Sequence, residues 1–183
     1  MSSFIDRLVA ARIGSTHNFY RVGRGAAQRR ERLAAYLEAR EHAPLLLVGE
    51  APGYRGARVS GIPFTSERQL TGAGPAEATA TIVQRVLEEL GLAEQVLLWN
   101  VVPTHPGTAA SNRPPTRAEV ALGRPFAAEL ARGRRVAAVG RIAAAALENA
   151  VYVRHPSHGG AVDFRYGLLQ FAAGGPGVRR SSV

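Results

Sequence analysis

Five residues in this sequence join chemically capable side chains to places where a chain in this pattern would gather them. Glu50 follows the apolar run Leu45–Val48 and Gly49; Asn100 follows QVLLW at 95–99; His155 and Ser157 follow AVYV at 150–153. Carboxylate, carboxamide, imidazole and hydroxyl are groups that donate, accept or move protons. Phe64 adds a flat apolar surface at the end of the Gly/Pro-rich loop that starts at Gly49, Pro52 and Gly53. Small residues such as Gly49 and Ala51 let a ligand approach backbone N–H groups closely. The stretch 45–64 therefore describes one wall of a pocket, although alone it fits a plain strand and turn with a surface phenylalanine equally well.

The elements that must carry these residues follow from periodicity. Short apolar runs closed by turn residues read as buried strands at 45–49, 95–99, 134–140 and 150–153. Helical spacing predicts helices over 4–13 (Phe4, Ile5, Leu8, Val9 and Ile13, ended by Gly14), 26–42, 76–90 and 141–148, with a last helix opened by Gly159 and Gly160. Thr116 and Glu119 form a capping box for a further helix, which Pro125 should kink or split. The loop 15–25 carries His17, Asn18, Phe19 and Tyr20, which could stack on bases or dock the first helix.

Alternating strands and helices imply a parallel sheet covered on both faces, with its ligand site beyond the carboxyl ends of the strands. Glu50, Asn100 and His155 with Ser157 come from three of those ends. The third predicted strand ends in Gly140 and Arg141 and adds no reactive group.

Composition narrows the chemistry. The 183 residues suit one domain, expected over 1–173, with N-terminal helices at 1–43, an α/β core at 44–173 and a disordered tail at 174–183. There is no cysteine, which excludes disulfides and thiolate metal sites. All 23 basic residues are arginine against 14 acids, for a net charge of +9. A GC-rich genome explains arginine over lysine but not the surplus of cations, which favours a polyanion such as nucleic acid. With no lysine there is no Walker-A loop. No signal peptide or membrane-spanning run is visible, so the expectation is a cytoplasmic, nucleoid-associated monomer that engages no membrane.

Three segments in order resemble the uracil-DNA glycosylase superfamily, across roughly 45–165. Gly49-Glu50-Ala51-Pro52-Gly53 with Ile62-Pro63-Phe64 is similar to the first motif of its GEAPG-type branch. Asn100-Val101-Val102 followed by Asn112-Arg113-Pro114-Pro115-Thr116 resembles the next segment of that branch, and His155-Pro156-Ser157 its second catalytic motif. The resemblance implies a three-layer α/β/α sandwich, a single domain around a four-stranded parallel sheet. It also implies a monofunctional glycosylase that flips uracil or another deaminated base out of DNA and uses water as nucleophile. Phe64 would stack on the base, Asn100 would read its edge, and backbone N–H groups at Glu50 and Ala51 would hold a carbonyl oxygen. His155 would stabilise charge growing on that oxygen.

The same branch holds an Fe–S cluster on four cysteines. Two of those positions align with Thr104 and Gly123, so no cofactor is expected and other packing, including the N-terminal helices, must secure the fold. Where aspartate-using members carry a water-activating acid this chain has Ala51, and Gly53 stands where they block the thymine methyl group. Glu50 is then the nearest carboxylate for orienting water, or else a structural partner of loop N–H groups. For DNA contact the candidates are Tyr54, Arg113, Arg154, Ser157, Gly159 and Gly160. The two arginines could equally be solvated, and the glycines could merely make a tight helix start. A histidine metal site built on His105, His155 and His158 lacks nearby carboxylates. An inactive damaged-DNA-binding relative and an enzyme for free nucleosides are the alternatives in function.

Overall fold

The computed structural model describes residues 2–174. Its elements run α1 (Ser2–Ala10), α2 (Ala26–Ala39), β1 (Leu45–Gly49), α3 (Ala57–Ser60), α4 (Glu67–Thr71) and α5 (Ala78–Glu89). They continue with β2 (Val96–Asn100), α6 (Arg117–Leu130), β3 (Arg135–Val139), α7 (Arg141–Ala146), β4 (Val151–Val153) and α8 (Ala161–Ala172). The four strands pair in the order β2-β1-β3-β4, all parallel. The predicted tail lies outside the described residues apart from Gly174.

β1 and β2 are buried along their whole length, which is why they read as continuous apolar runs rather than alternating ones. Their side chains divide by parity. Leu46, Val48, Leu97 and Trp99 face one layer, with Phe4 and Leu8 of α1, Leu33 and Leu37 of α2, Ala127 of α6 and Ala143 of α7. Leu45, Leu47, Val96 and Leu98 face the other, with Val83, Val86 and Leu87 of α5 and Phe164, Leu168 and Phe171 of α8. Each such large side chain contributes about 1.5–3 kcal/mol of transfer free energy. The result is an α/β/α sandwich in one domain. β2 is an edge strand, and the Tyr36 hydroxyl accepts from the Leu98 N–H at 2.8 Å where no neighbouring strand can.

Two expectations are corrected here. Helix α6 runs unbroken from Arg117 to Leu130 with Pro125 inside it, so the proline does not split it. The capping box at its start is present, with Thr116 Oγ1 accepting from Glu119 N at 3.2 Å and Glu119 accepting from Thr116 N at 2.8 Å. The long loop after β1 also contains two short helices, α3 and α4, each closed by a glycine in left-handed conformation, Gly61 at φ 85° and Gly72 at φ 75°.

The segment 13–20 docks the N-terminal helix; its rings do not face outward for bases. Phe19 and Tyr20 are buried, and the Asn18 amide donates to Leu8 O at 2.8 Å and Ala11 O at 3.1 Å, closing the end of α1. Thr16 meets Thr104 hydroxyl to hydroxyl at 2.5 Å, and the backbones of His17 and His105 pair. At Gly123 a Cβ would collide with Val101 O and lie 3.0 Å from Val102 Cα. The residues present do not fit an Fe–S cluster: Thr104 is tied to Thr16, and at Gly123 two backbones meet where a side chain has no room.

Asn18→Ala should therefore cost roughly 1–3 kcal/mol, the scale for buried polar groups left without partners. Urea unfolding checks it; wild-type stability in the variant would show that the docking segment does not secure the fold.

Candidate active site

Parallel strands whose loops all leave at one edge concentrate their polar ends there. Residues at the carboxyl ends of β1, β2 and β4 and in the loops that follow line one cavity of about 390 Å³, among them Glu50, Ala51, Phe64, Asn100, His155 and Ser157. The size suits a small flat ligand.

Phe64 reaches this cavity because of what Gly49 lacks. A Cβ on Gly49 would overlap Phe64 Cζ and sit 3.0 Å from Asn100 Oδ1. Phe64 itself has φ 51°, a conformation that side chains rarely adopt, and a network holds it there. Ser60, fully buried in α3, donates to Thr65 O at 2.6 Å and accepts from Ile62 N at 3.1 Å. Gln84 of α5 donates to Phe64 O at 3.1 Å, and the buried Tyr20 hydroxyl donates to Gly61 O at 2.9 Å. None of these three positioning residues was visible as such in the sequence, because their partners are backbone groups brought near only by the fold.

Asn100 closes β2 rather than following it. It is 4 % exposed, lines the cavity, and its amide makes no hydrogen bond among the described residues. The amide is thus committed to no protein group and is left open to the cavity. His155 is differently held. Its Nδ1 accepts from Ser157 N at 3.2 Å and lies 2.7 Å from Ser157 Oγ, whose other neighbour is His158 Nδ1 at 2.9 Å. An acceptor at Nδ1 leaves the proton of the neutral ring on Nε2. Burial, then the charge of Arg154 and of His158, lowers the His155 pKa below its ordinary value and favours that neutral form.

Two carboxylates line the cavity. Glu50 makes no side-chain hydrogen bond among the described residues, so no loop N–H ties it down; burial raises its pKa. The second, Glu77 at the N-terminus of α5, was not among the residues singled out from the sequence. Its carboxylate lies against the 53–56 turn, where a Cβ on Gly53 or on Gly56 would strike it. Burial raises its pKa as well, and no cation is near enough to oppose that.

The remaining candidates sort by position. Arg113 lines the cavity, but its guanidinium forks onto Glu119 at 2.7 and 2.6 Å and donates to Ser15 Oγ at 2.9 Å. Glu119, 2 % exposed, is held near pKa 2, first by that arginine. Tyr54, whose N–H donates to Asn112 Oδ1 at 2.9 Å, and Arg154 are not among the residues that line the cavity. Gly160 donates its N–H to Ser157 O at 3.1 Å, and a Cβ there would strike His155 O, which favours the tight helix start over a phosphate seat. Both ring nitrogens of His105 lie 2.8 Å from carbonyl oxygens, of Pro52 and of Thr108, away from His155. Among the described residues no group of three or more His, Cys, Asp or Glu side chains could hold a metal.

A family model described as the uracil DNA glycosylase superfamily matches residues 37–172. Among solved structures, wild-type SMUG2 of Pedobacter heparinus is similar, with a TM-score of 0.61 and 18% identity. That match covers 93% of this chain and 96% of the other, a likeness of fold. No curated protein matches the sequence.

The unpaired state of Glu77 has a measurable consequence. Its folded pKa lies above its unfolded value near 4.5, so the unfolded chain gives up that proton first and relative stability falls as pH rises through that window. At neutral pH, Glu77→Gln should therefore melt above wild type. The gain should fade in acid, where the native carboxyl is protonated in both states. A variant that melts lower at neutral pH would mean that Glu77 has a stabilising partner.

Proposed function

The chain belongs to the uracil DNA glycosylase superfamily, and from that premise we propose that it hydrolyses the N-glycosidic bond of uracil, or of another deaminated base, in DNA. The observation that carries this reading is the Asn100 amide, buried, unpartnered and facing a cavity with the Phe64 ring beside it. A carboxamide presents one acceptor and one donor side by side, which matches the imide N–H and carbonyl of uracil. The aromatic face supplies the stacking that a base loses on leaving the duplex.

The chemistry follows from the rest of the cavity. As the bond from C1′ to the base breaks, its electron pair moves onto the base, whose charge is shared by its carbonyl oxygens. His155, neutral with its proton on Nε2, donates to one of them; backbone N–H groups of Glu50 and Ala51 serve the same end. Water adds to C1′ and its proton passes to a carboxylate. Glu50 is assigned this task, with Glu77 across the cavity as the second group that could orient the same water. A raised carboxyl pKa suits a base working near neutral pH. A glycosylase that also cuts the backbone uses an amine nucleophile, normally lysine. This chain has none, so an intact abasic site should be the product.

The test is single-turnover base release from oligonucleotides carrying uracil, hypoxanthine or xanthine, single-stranded and duplex, beside free deoxyuridine. Release from DNA, nicking only after alkali and no borohydride-trapped adduct are expected. His155→Ala should slow release by about a hundredfold or more, the usual scale for one lost charge-stabilising donor. Release by that variant within a few-fold of wild type would overturn the role of His155. Binding without release from any substrate would point to an inactive DNA-binding relative, and release from deoxyuridine alone to a nucleoside enzyme.

A further inference from the structure

Helix α3 has a cavity on each side of it. Ala57 faces the one described above, while Arg58 and Val59 line a second cavity of about 360 Å³ closed by His17, Gly23, Arg24 and Arg29. Four of these six residues are basic or imidazole, and no carboxylate is among them. Glu67, the acid that acts on Arg29, is already forked onto Arg32 at 2.8 and 3.0 Å.

The cluster is built rather than accidental. Arg29 Nε donates to Phe19 O at 2.7 Å, which fixes the guanidinium. The turn Gly23-Arg24-Gly25 folds over it with both glycines left-handed, at φ 95° and 80°, and a Cβ on Gly25 would lie 3.3 Å from Arg29 Nη1. Arg58 Nε is fully enclosed and has no hydrogen-bond partner. A buried guanidinium N–H without an acceptor costs stability, so Arg58 is held there at some expense. Charges of one sign also oppose one another here: Arg58 and Arg29 both lower the His17 pKa, after burial, and Arg58 lowers that of Arg29. An anion with several acceptor oxygens in the cavity would relieve that mutual opposition, and planar guanidinium forks match phosphate oxygens.

We propose that the cavity lined by His17, Arg24, Arg29 and Arg58 is a phosphate-binding site, which seats a phosphate of the DNA strand whose base enters the neighbouring cavity. The identity of the strand rests on the proposed function; the affinity for phosphate does not. α3 would then be held by ligand on both sides, since Ala57 walls the base cavity and Arg58 the phosphate. One bound phosphate so placed fixes which nucleotide stands opposite Phe64.

Arg24 and Arg58 make no hydrogen bond to other protein groups among the described residues, so the double variant R24Q/R58Q should fold. With wild type, DNA affinity across a salt series should steepen with each phosphate held; the double variant should lose about 0.7–0.9 from that slope, one phosphate. Neutral methylphosphonate linkages moved along the strand locate it. One linkage should weaken wild type and leave the double variant unchanged, while equal loss in both at every linkage overturns the proposal. Oligonucleotides with and without a 5′-phosphate separate a terminal phosphate from an internal one. A further arm needs no DNA: inorganic phosphate at constant ionic strength should raise the melting temperature of wild type and not of the double variant. An equal response in both proteins, including none, removes the site whatever the enzyme's substrate. A difference there with no DNA activity keeps the site and discards the glycosylase reading.

Discussion

The candidate site depends on a missing methyl group. β1 lies between β2 and β3, and it finishes at Gly49, opposite Asn100 of β2 in the parallel register. With no Cβ on Gly49, the Phe64 ring can close over the strand end beside the Asn100 amide; any larger residue would overlap the ring. The left-handed conformation of Phe64 follows from that approach, since the chain must turn sharply to bring the ring back over its own strand. The surrounding hydrogen bonds then make sense as a set. Ser60, Gln84 and Tyr20 all bind backbone of the 61–65 turn, so three elements hold one strained residue in place. A site built on over-determined backbone keeps its geometry without a ligand, which lowers the ordering cost of binding one.

A second constraint is how the N-terminal segment is locked to the far side of the sheet. The hydroxyl pair Thr16–Thr104, the backbone pairing of His17 with His105, and Ser15 against Arg113 and Glu119 lie along a few consecutive residues. Together they tie α1, the loop after β2 and the start of α6. Gly14 at φ 53° belongs to the same knot, for a Cβ there would lie 2.6 Å from Glu119 Cγ. These contacts are ordinary packing and hydrogen bonds, so their loss should show as graded destabilisation rather than collapse. The knot also reaches the active site: His105 grips Pro52 O, and Pro52 belongs to the cavity wall.

What was legible in the sequence was what periodicity and turn chemistry encode locally. Strands such as LLLVG and VLLWN are short apolar runs with hard stops, and Thr116 with Glu119 announces a helix start within three residues. Strand ends then gather Glu50, Asn100 and His155 by topology alone. Helices α3 and α4 were not legible because four or five residues cannot display a helical period; their closing glycines looked like loop. The split considered at Pro125 did not occur, for a different reason. A proline removes one hydrogen bond and crowds one carbonyl. Yet Gly123 and Ala127 pack without exposure on that helix, and tertiary burial outweighs the local defect. Arg113 read as a DNA contact or a solvated cation, and nothing in the sequence singled out Glu77. Only the fold shows that the arginine is committed to a buried partner and that Glu77 is not.

That contrast carries a physical argument about the acids themselves. This chain has 23 arginines for 14 acids, so pairing a carboxylate is easy, and many are paired: Glu67 with Arg32, Glu94 with Arg40, Glu129 with Arg7, Glu119 with Arg113. Pairing holds Glu119 near pKa 2, which keeps it charged and makes it a poor proton acceptor. Glu50 and Glu77 sit in the same cationic protein, yet burial rather than charge sets their pKa values, and both move upward. Keeping arginines away from two half-buried acids in a molecule of net charge +9 lowers stability for no structural return. It does produce carboxylates with raised proton affinity facing a cavity with an unpartnered amide and a neutral imidazole. The acids that hold the fold together and those assigned to the proposed reaction are therefore separated by one variable, whether an arginine is allowed to reach them.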